Sequence, residues 1–100
     1  MNIRFLTMAE TEVDNAVSWY QEQTEDQSLN FLGSAVQVIT EYPLLAAEIE
    51  PDIRRFLFRR FPYSLIYGID GGTIVVVALA HDHREPRYWA ERISDERLDQ

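Results

Sequence analysis

Asp70-Gly71-Gly72-Thr73 sets the first constraint on this chain. Glycine supplies positive φ at no steric cost, so these four residues read as a tight hairpin turn. Before the turn, Tyr63, Leu65, Tyr67 and Ile69 alternate with Ser64, Ile66 and Gly68, the period of a strand. After it, Ile74 to Ala80 is continuously apolar, as in a central strand covered on both faces. Upstream, Phe56 and Phe58 alternate with Arg55, Leu57 and Arg59, and Pro62 separates that run from Tyr63. Three strands in succession, joined by short turns, make an antiparallel meander.

The N-terminal half is helical in pattern. Asn2 to Leu6 alternates briefly and is expected to be a first strand. Thr7-Met8-Ala9-Glu10 matches a capping box. Val13, Ala16, Val17 and Tyr20 follow at helical spacing, which predicts a helix over about residues 8–25. Phe31, Leu32, Ala35, Val38, Ile39 and Tyr42 form a second stripe that Pro43 stops. Gly33 inside it is expected to permit close helix approach. Leu44 to Asp52 reads as a connection. The sum is a single α+β domain over residues 1–100, in the order β-α-α-β-β-β: a helical hairpin packed on one face of an antiparallel sheet. His81 to Arg92 leaves the sheet, with Pro86 starting a short helix. The tail, about residues 93–100, is polar and expected to be mobile.

Composition bounds the function. No run of 18 apolar residues occurs, so no membrane span is expected. Glu10 and Glu12 follow too soon for a secretory h-region. There is no cysteine, which excludes disulfides and thiolate chemistry and makes cytoplasmic residence the expectation. The net charge of −8 argues against direct DNA binding by this chain alone. Residues 1–53 carry ten acids and one arginine, a balance of −9, whereas residues 54–92 carry seven arginines and four acids, a balance of +3. Lysine is absent. Arginine suits planar, bidentate contacts with carboxylates or phosphates.

Three clusters could carry chemistry. His81-Asp82-His83 offers two imidazoles on one side of an extended segment, but no further ligand stands at a familiar zinc spacing. No metal or cofactor is therefore expected; local hydrogen bonding at the strand end competes with a general-base role. Arg84, Arg87 and Arg92, with Tyr88 and Trp89, could bind a target or, as Arg and Tyr together, act on RNA. Against this, Tyr88 and Trp89 could simply pin the segment to the sheet while the arginines pair with acids. Arg54-Arg55 and Arg59-Arg60 place side chains on both faces of a strand, so at least two are accessible, to an acidic partner or to water.

The string Arg55-Phe56-Leu57…Phe61-Pro62-Tyr63-Ser64-Leu65-Ile66-Tyr67, with the apolar strand and then His81-x-x-Arg84-x-Pro86-x-x-Trp89-x-x-Arg92, resembles the RelE/ParE toxin superfamily of type II toxin–antitoxin modules. More narrowly it resembles the ParE-like, plasmid-stabilisation branch. The likeness is specific over about residues 53–92; upstream it is a matter of pattern, with Ala16-x-x-Trp19-Tyr20 and Phe31 in the helical hairpin. The resemblance implies a RelE/ParE-like fold and a toxin neutralised by a cognate, ParD-like antitoxin in a hetero-oligomer. Such an antitoxin's acidic side chains would meet Arg55, Arg59, Arg60, Tyr63 and Tyr67. ParE-like toxins are associated with DNA gyrase, which the resemblance would place against Arg84, Arg87, Tyr88, Trp89 and Arg92. RelE-like toxins cut mRNA on the ribosome; here that chemistry would fall to Arg84, Tyr88, His83 and Arg59. Ser64 stands where such nucleases carry a middle-strand arginine, which favours the binding mode over catalysis. A non-toxic homologue that only binds an antitoxin is the third expectation.

Overall fold

The computed structural model describes residues 1–23, 30–59 and 61–93. In chain order these form β1 (Asn2–Phe5), α1 (Thr7–Gln23), α2 (Asn30–Glu41), β2 (Ala47–Glu50), β3 (Ile53–Leu57), β4 (Tyr63–Asp70) and β5 (Thr73–His81). A single helical turn, residues 90–93, ends the described chain. The expected mobile tail beyond Ile93 lies outside the described residues.

The sheet order is β1-β5-β4-β3-β2. β3, β4 and β5 form the expected antiparallel meander, with Phe56 opposite Leu65 and Leu65 opposite Leu79. Asp70 pairs with Thr73 across the turn, and Gly71 takes φ 61°, the left-handed value that favours glycine there.

Two features differ from expectation. The connection after α2 contains a fifth strand, β2, antiparallel to β3. Its four residues are Ala-Glu-Ile-Glu, three of them depleted in strands, so propensity hides it; pairing to β3 creates it. The sheet is also not wholly antiparallel, because β1 runs parallel to β5. The helical pair carries the chain from β1 to β2 at the far edge, and the antiparallel strands bring it back to β5 beside β1.

Helix α1 begins one residue earlier than its capping-box pattern implies. Glu10 N–H donates to the Leu6 carbonyl at 2.9 Å, so Thr7 sits inside the first turn. A Cβ on Gly33 would meet nothing within 4 Å, so this glycine serves no close helix approach.

The core lies between the helices and one face of the sheet. Leu65, Tyr67, Ile74 and Val76 are fully buried there with Ala9, Ala16 and Ile39. The other face is partly covered by the segment after β5, through Trp89. β5 is thus enclosed on both faces, as its unbroken apolar run requires. No described helix is long and apolar enough to cross a membrane.

Candidate functional site

The segment after β5 is held by hydrogen bonds to one sheet edge. β1 ends at Phe5, opposite Val76, so the outer backbone of β5 beyond that point lacks a strand partner. Side chains replace it. Leu79 N–H donates to Glu12 Oε1 at 3.2 Å, and an Arg92 NH1 nitrogen donates to the Val77 carbonyl at 3.1 Å. Arg92 also forks onto Glu12 at 2.8 and 3.0 Å, and the Tyr88 hydroxyl donates to Glu12 Oε2 at 2.6 Å. An orphan edge becomes a closed network of α1, β5 and the C-terminal segment.

This network fixes the chemical state of Tyr88. Burial, and then the Glu12 carboxylate, push its hydroxyl well above the usual tyrosine range. Glu12 likewise raises Arg92. Tyr88 is therefore a neutral donor whose hydroxyl hydrogen bond is already directed to Glu12. The Arg84 guanidinium lies 3.9 Å over its ring and the Arg92 guanidinium 5.0 Å from the ring centroid.

Between this segment and the second face of the sheet runs a groove of about 530 Å³. Its floor is Ser64, Ile66 and Ala80, with Leu57, Pro86 and the buried Trp89 as apolar walls. Arg55 and Arg84 stand at its rim, together with Asp82, Glu85 and the Glu50–Arg87 pair. Among the described residues neither Arg55 nor Arg84 has a carboxylate partner, and the same holds for Arg59. Arg87, in contrast, crosses to β2 and forks onto Glu50, with NH2 to Oε1 at 3.1 Å and a second, shorter bond from Nε. The Arg87 hydrogen bond holds the Glu50 carboxyl below the usual range. Arg87 reaches this position with φ 61°, a conformation unusual for a residue with a side chain.

The expected contact residues separate into three groups. Arg55 and Arg84 line the groove. Arg87, Tyr88 and Arg92 are tied to internal acids, and Trp89 is buried at 4% exposure. Tyr67 is the clearest correction. It was expected on the partner-facing surface, yet its side chain points to the helices, has 0% exposure and donates its hydroxyl to the Pro43 carbonyl at 2.6 Å. The alternation that places Leu65 in the core places Tyr67 beside it. Tyr63 shares that face and sits near Ala16 and Trp19 of α1, outside the groove.

Of the four residues expected to act in a nuclease, the fold stacks Arg84 on Tyr88 but sets Arg59 apart. Arg59 lies beside α2 with Ser34 and Val38, away from the cavities that Arg84 and Tyr88 line. His83 is exposed and donates its backbone N–H to His81 Nδ1 at 3.1 Å, so the pair serves local turn geometry. Among the described residues no cluster of three metal-ligating side chains occurs. Arg60 lies outside the described residues. Sequence reasoning missed Glu12 and Glu50, the two internal acids, and Ile49, which adds to the groove wall. Glu12 gave one signal, an acid placed one residue from the Val13 stripe of an otherwise amphipathic helix.

The architecture defines a class: an α+β fold in which a helical hairpin packs on a mixed five-stranded sheet and a groove lies beside its C-terminal segment. Comparison with solved structures gives that class its name. The chain has the fold of the RelE/ParE toxins. It is similar to a chain of the chromosomal ParDE toxin–antitoxin system from P. aeruginosa, with a TM-score of 0.66, 16% identity, and coverage of 81% of this chain and 95% of that one. It is similar also to the isolated RelE toxin of E. coli, with a TM-score of 0.62, 19% identity, and coverage of 95% and 97%. No protein-family model and no curated protein matches the sequence.

Proposed function

We propose that this protein is the toxin of a type II toxin–antitoxin module. In this reading it is held inactive by an acidic, ParD-like antitoxin segment seated in the groove, and acts in the ParE manner by binding DNA gyrase. The observation that carries the reading is a pair of guanidiniums, Arg55 and Arg84, without a carboxylate partner among the described residues, at the rim of a groove with an apolar floor in a fold shared with ParE and RelE. An amphipathic acidic segment satisfies both: its apolar side chains cover Leu57, Ile66 and Trp89, and its carboxylates meet the arginines.

Binding is favoured over RNA cleavage by the state of the candidate catalytic groups. Tyr88 is committed to Glu12, Arg59 is elsewhere, and the groove floor carries Ser64 where a cation would stabilise phosphate charge. Arg84 and the exposed His83 are what is left of that set.

Induced expression without antitoxin, followed by growth and plasmid topology, tests this directly. Growth arrest with relaxed plasmid supports the gyrase-directed toxin. Arrest with normal topology, and cuts within codons that vanish in Arg84→Ala, would replace it by a ribosome-dependent endonuclease. Unimpeded growth with folded protein would leave an antitoxin-binding domain without toxicity.

A further inference from the structure

A second surface, chemically opposite to the groove, lies where α2 runs into β2. Tyr42, Leu44 and Leu45 are 62%, 67% and 68% exposed, the largest exposures among the big apolar side chains described. Isolated exposed leucines are ordinary, but three within four residues are not. Their backbone is held from beneath. The buried Tyr67 hydroxyl bonds the Pro43 carbonyl, and an Arg54 NH1 nitrogen donates to the carbonyls of Leu44 at 3.1 Å and Ala46 at 2.7 Å. Leu45 N–H closes the turn on the Tyr42 carbonyl at 3.0 Å. A loop fixed at the carbonyls of Pro43, Leu44 and Ala46 while its leucines face water is already organised for contact, so little ordering entropy remains to be lost on binding.

This loop opens directly onto β2, the last strand of the sheet. Among the described residues no backbone group pairs with its outer edge. A short edge with a bulge between Glu48 and Glu50 is the usual protection against pairing with copies of the same chain. Charge reinforces that protection. Glu41, Glu48 and Asp52 are exposed along this stretch; Glu48 accepts from the Asp52 backbone N–H at 3.0 Å, and among the described residues none of the three forms an ion pair. A second copy would bring six carboxylates together against two guanidiniums, the Arg54 side chains bound to the loop carbonyls. A cationic segment would neutralise them.

We propose that the β2 edge and the Tyr42-Leu44-Leu45 loop form a docking site for an extended partner segment that alternates basic and apolar residues. The segment adds a sixth strand to the sheet, its apolar side chains resting on Leu44 and Leu45 and its cations on Glu41, Glu48 and Asp52. This site shares β2 with the groove, whose wall includes Ile49 and Glu50, but it presents the strand's outer edge and calls for a cationic partner.

The test uses the full chain and a blocked nine-residue peptide alternating arginine and valine. Its controls are a glutamate–valine peptide and an arginine–valine peptide N-methylated at alternate residues. Binding is followed by amide chemical shifts and fluorescence anisotropy. The expected result is shifts centred on residues 42–50, at least tenfold weaker binding for Leu44→Ser with Leu45→Ser, and a reduced salt dependence for Glu48→Gln. The N-methylated peptide should bind at least tenfold more weakly, because it cannot complete the strand ladder. Both leucines are two-thirds exposed, so the variant should keep the wild-type unfolding midpoint. Shifts elsewhere, equal binding of the glutamate–valine or N-methylated peptide, indifference to the leucine changes, or self-association of the chain through residues 42–50 would each overturn the proposal.

Discussion

Replacing Glu12 by alanine should be among the most damaging single changes on the surface of α1. The carboxylate accepts from Leu79 N–H, from the Tyr88 hydroxyl and from two Arg92 nitrogens, at 2.6–3.2 Å. Glu12 and Arg92 side chains retain only 17% and 12% exposure. Removing one partner of a buried pair costs about 3–5 kcal/mol, chiefly because the other charge is stranded. Some water reaches this cluster, so the lower end applies, about 3 kcal/mol. For a domain of this size that is a fall of about 15 °C in Tm. Urea unfolding of Glu12→Ala, with the exposed Glu10→Ala as control, reads it; the control should change by less than about 0.5 kcal/mol. A double-mutant cycle with Arg92→Ala isolates the cause. The double variant should lose less than the sum of the singles by about 1.5 kcal/mol, since neither charge is then stranded. A Glu12→Ala loss under about 1 kcal/mol, or strict additivity with Arg92→Ala, would refute the reasoning and reduce the cluster to a surface contact.

Further outcomes follow from other positions. Gly68→Ala should destabilise by about 1–2 kcal/mol in the same urea assay, because its Cβ would lie 3.0 Å from the Asp52 carbonyl oxygen, a backbone atom that cannot step aside cheaply. Tyr67→Phe should cost about 1.5 kcal/mol by leaving the Pro43 carbonyl without its donor, and should quicken amide exchange at residues 44–46. Stability should fall as pH rises above about 10, the unfolded tyrosine value, because burial keeps Tyr67 and Tyr88 protonated in the fold after the unfolded chain has lost those protons. Tyr88→Phe should flatten that alkaline slope, and a slope identical to wild type would contradict it. Arg55→Glu with Arg84→Glu should weaken capture of an acidic antitoxin segment at least tenfold in a titration. Arg55→Glu with Arg59→Glu should do less, because Arg59 lies outside the groove.

What the sequence makes legible is periodicity over short range. The Gly71-Gly72 turn, the Tyr63–Ile69 alternation and the two helical stripes each repeat within a few residues, and each became the element expected. β2 was illegible because Ala47–Glu50, though it alternates, is only four residues long and made mostly of Ala and Glu, which are depleted in strands; its strand state comes from β3, which the chain reaches only afterwards. Tyr67 was misplaced for a related reason. A tyrosine on a strand can face either layer, and the choice depends on a carbonyl at Pro43, 24 residues earlier. Glu12 and Arg92 are 80 residues apart, beyond any local pattern. Nor does an arginine announce whether its partner is internal.

That last ambiguity governs the functional reading. The arginine-rich segment 54–92 suggests a broad cationic face, but the fold engages three of its six described arginines internally. Arg54 holds the loop before β2, Arg87 pairs with Glu50, and Arg92 caps the β5 edge with Glu12. The cations left for a partner are sparse and divided: Arg55 and Arg84 at the groove, Arg59 beside α2. A polyanion such as RNA needs a continuous track of such groups, since each neutralised phosphate adds to affinity. A peptide needs only two well-placed guanidiniums above an apolar floor. The partition of arginines thus favours a protein partner in the groove and weighs against nucleic acid there, a distinction that net charge and motif alone leave open.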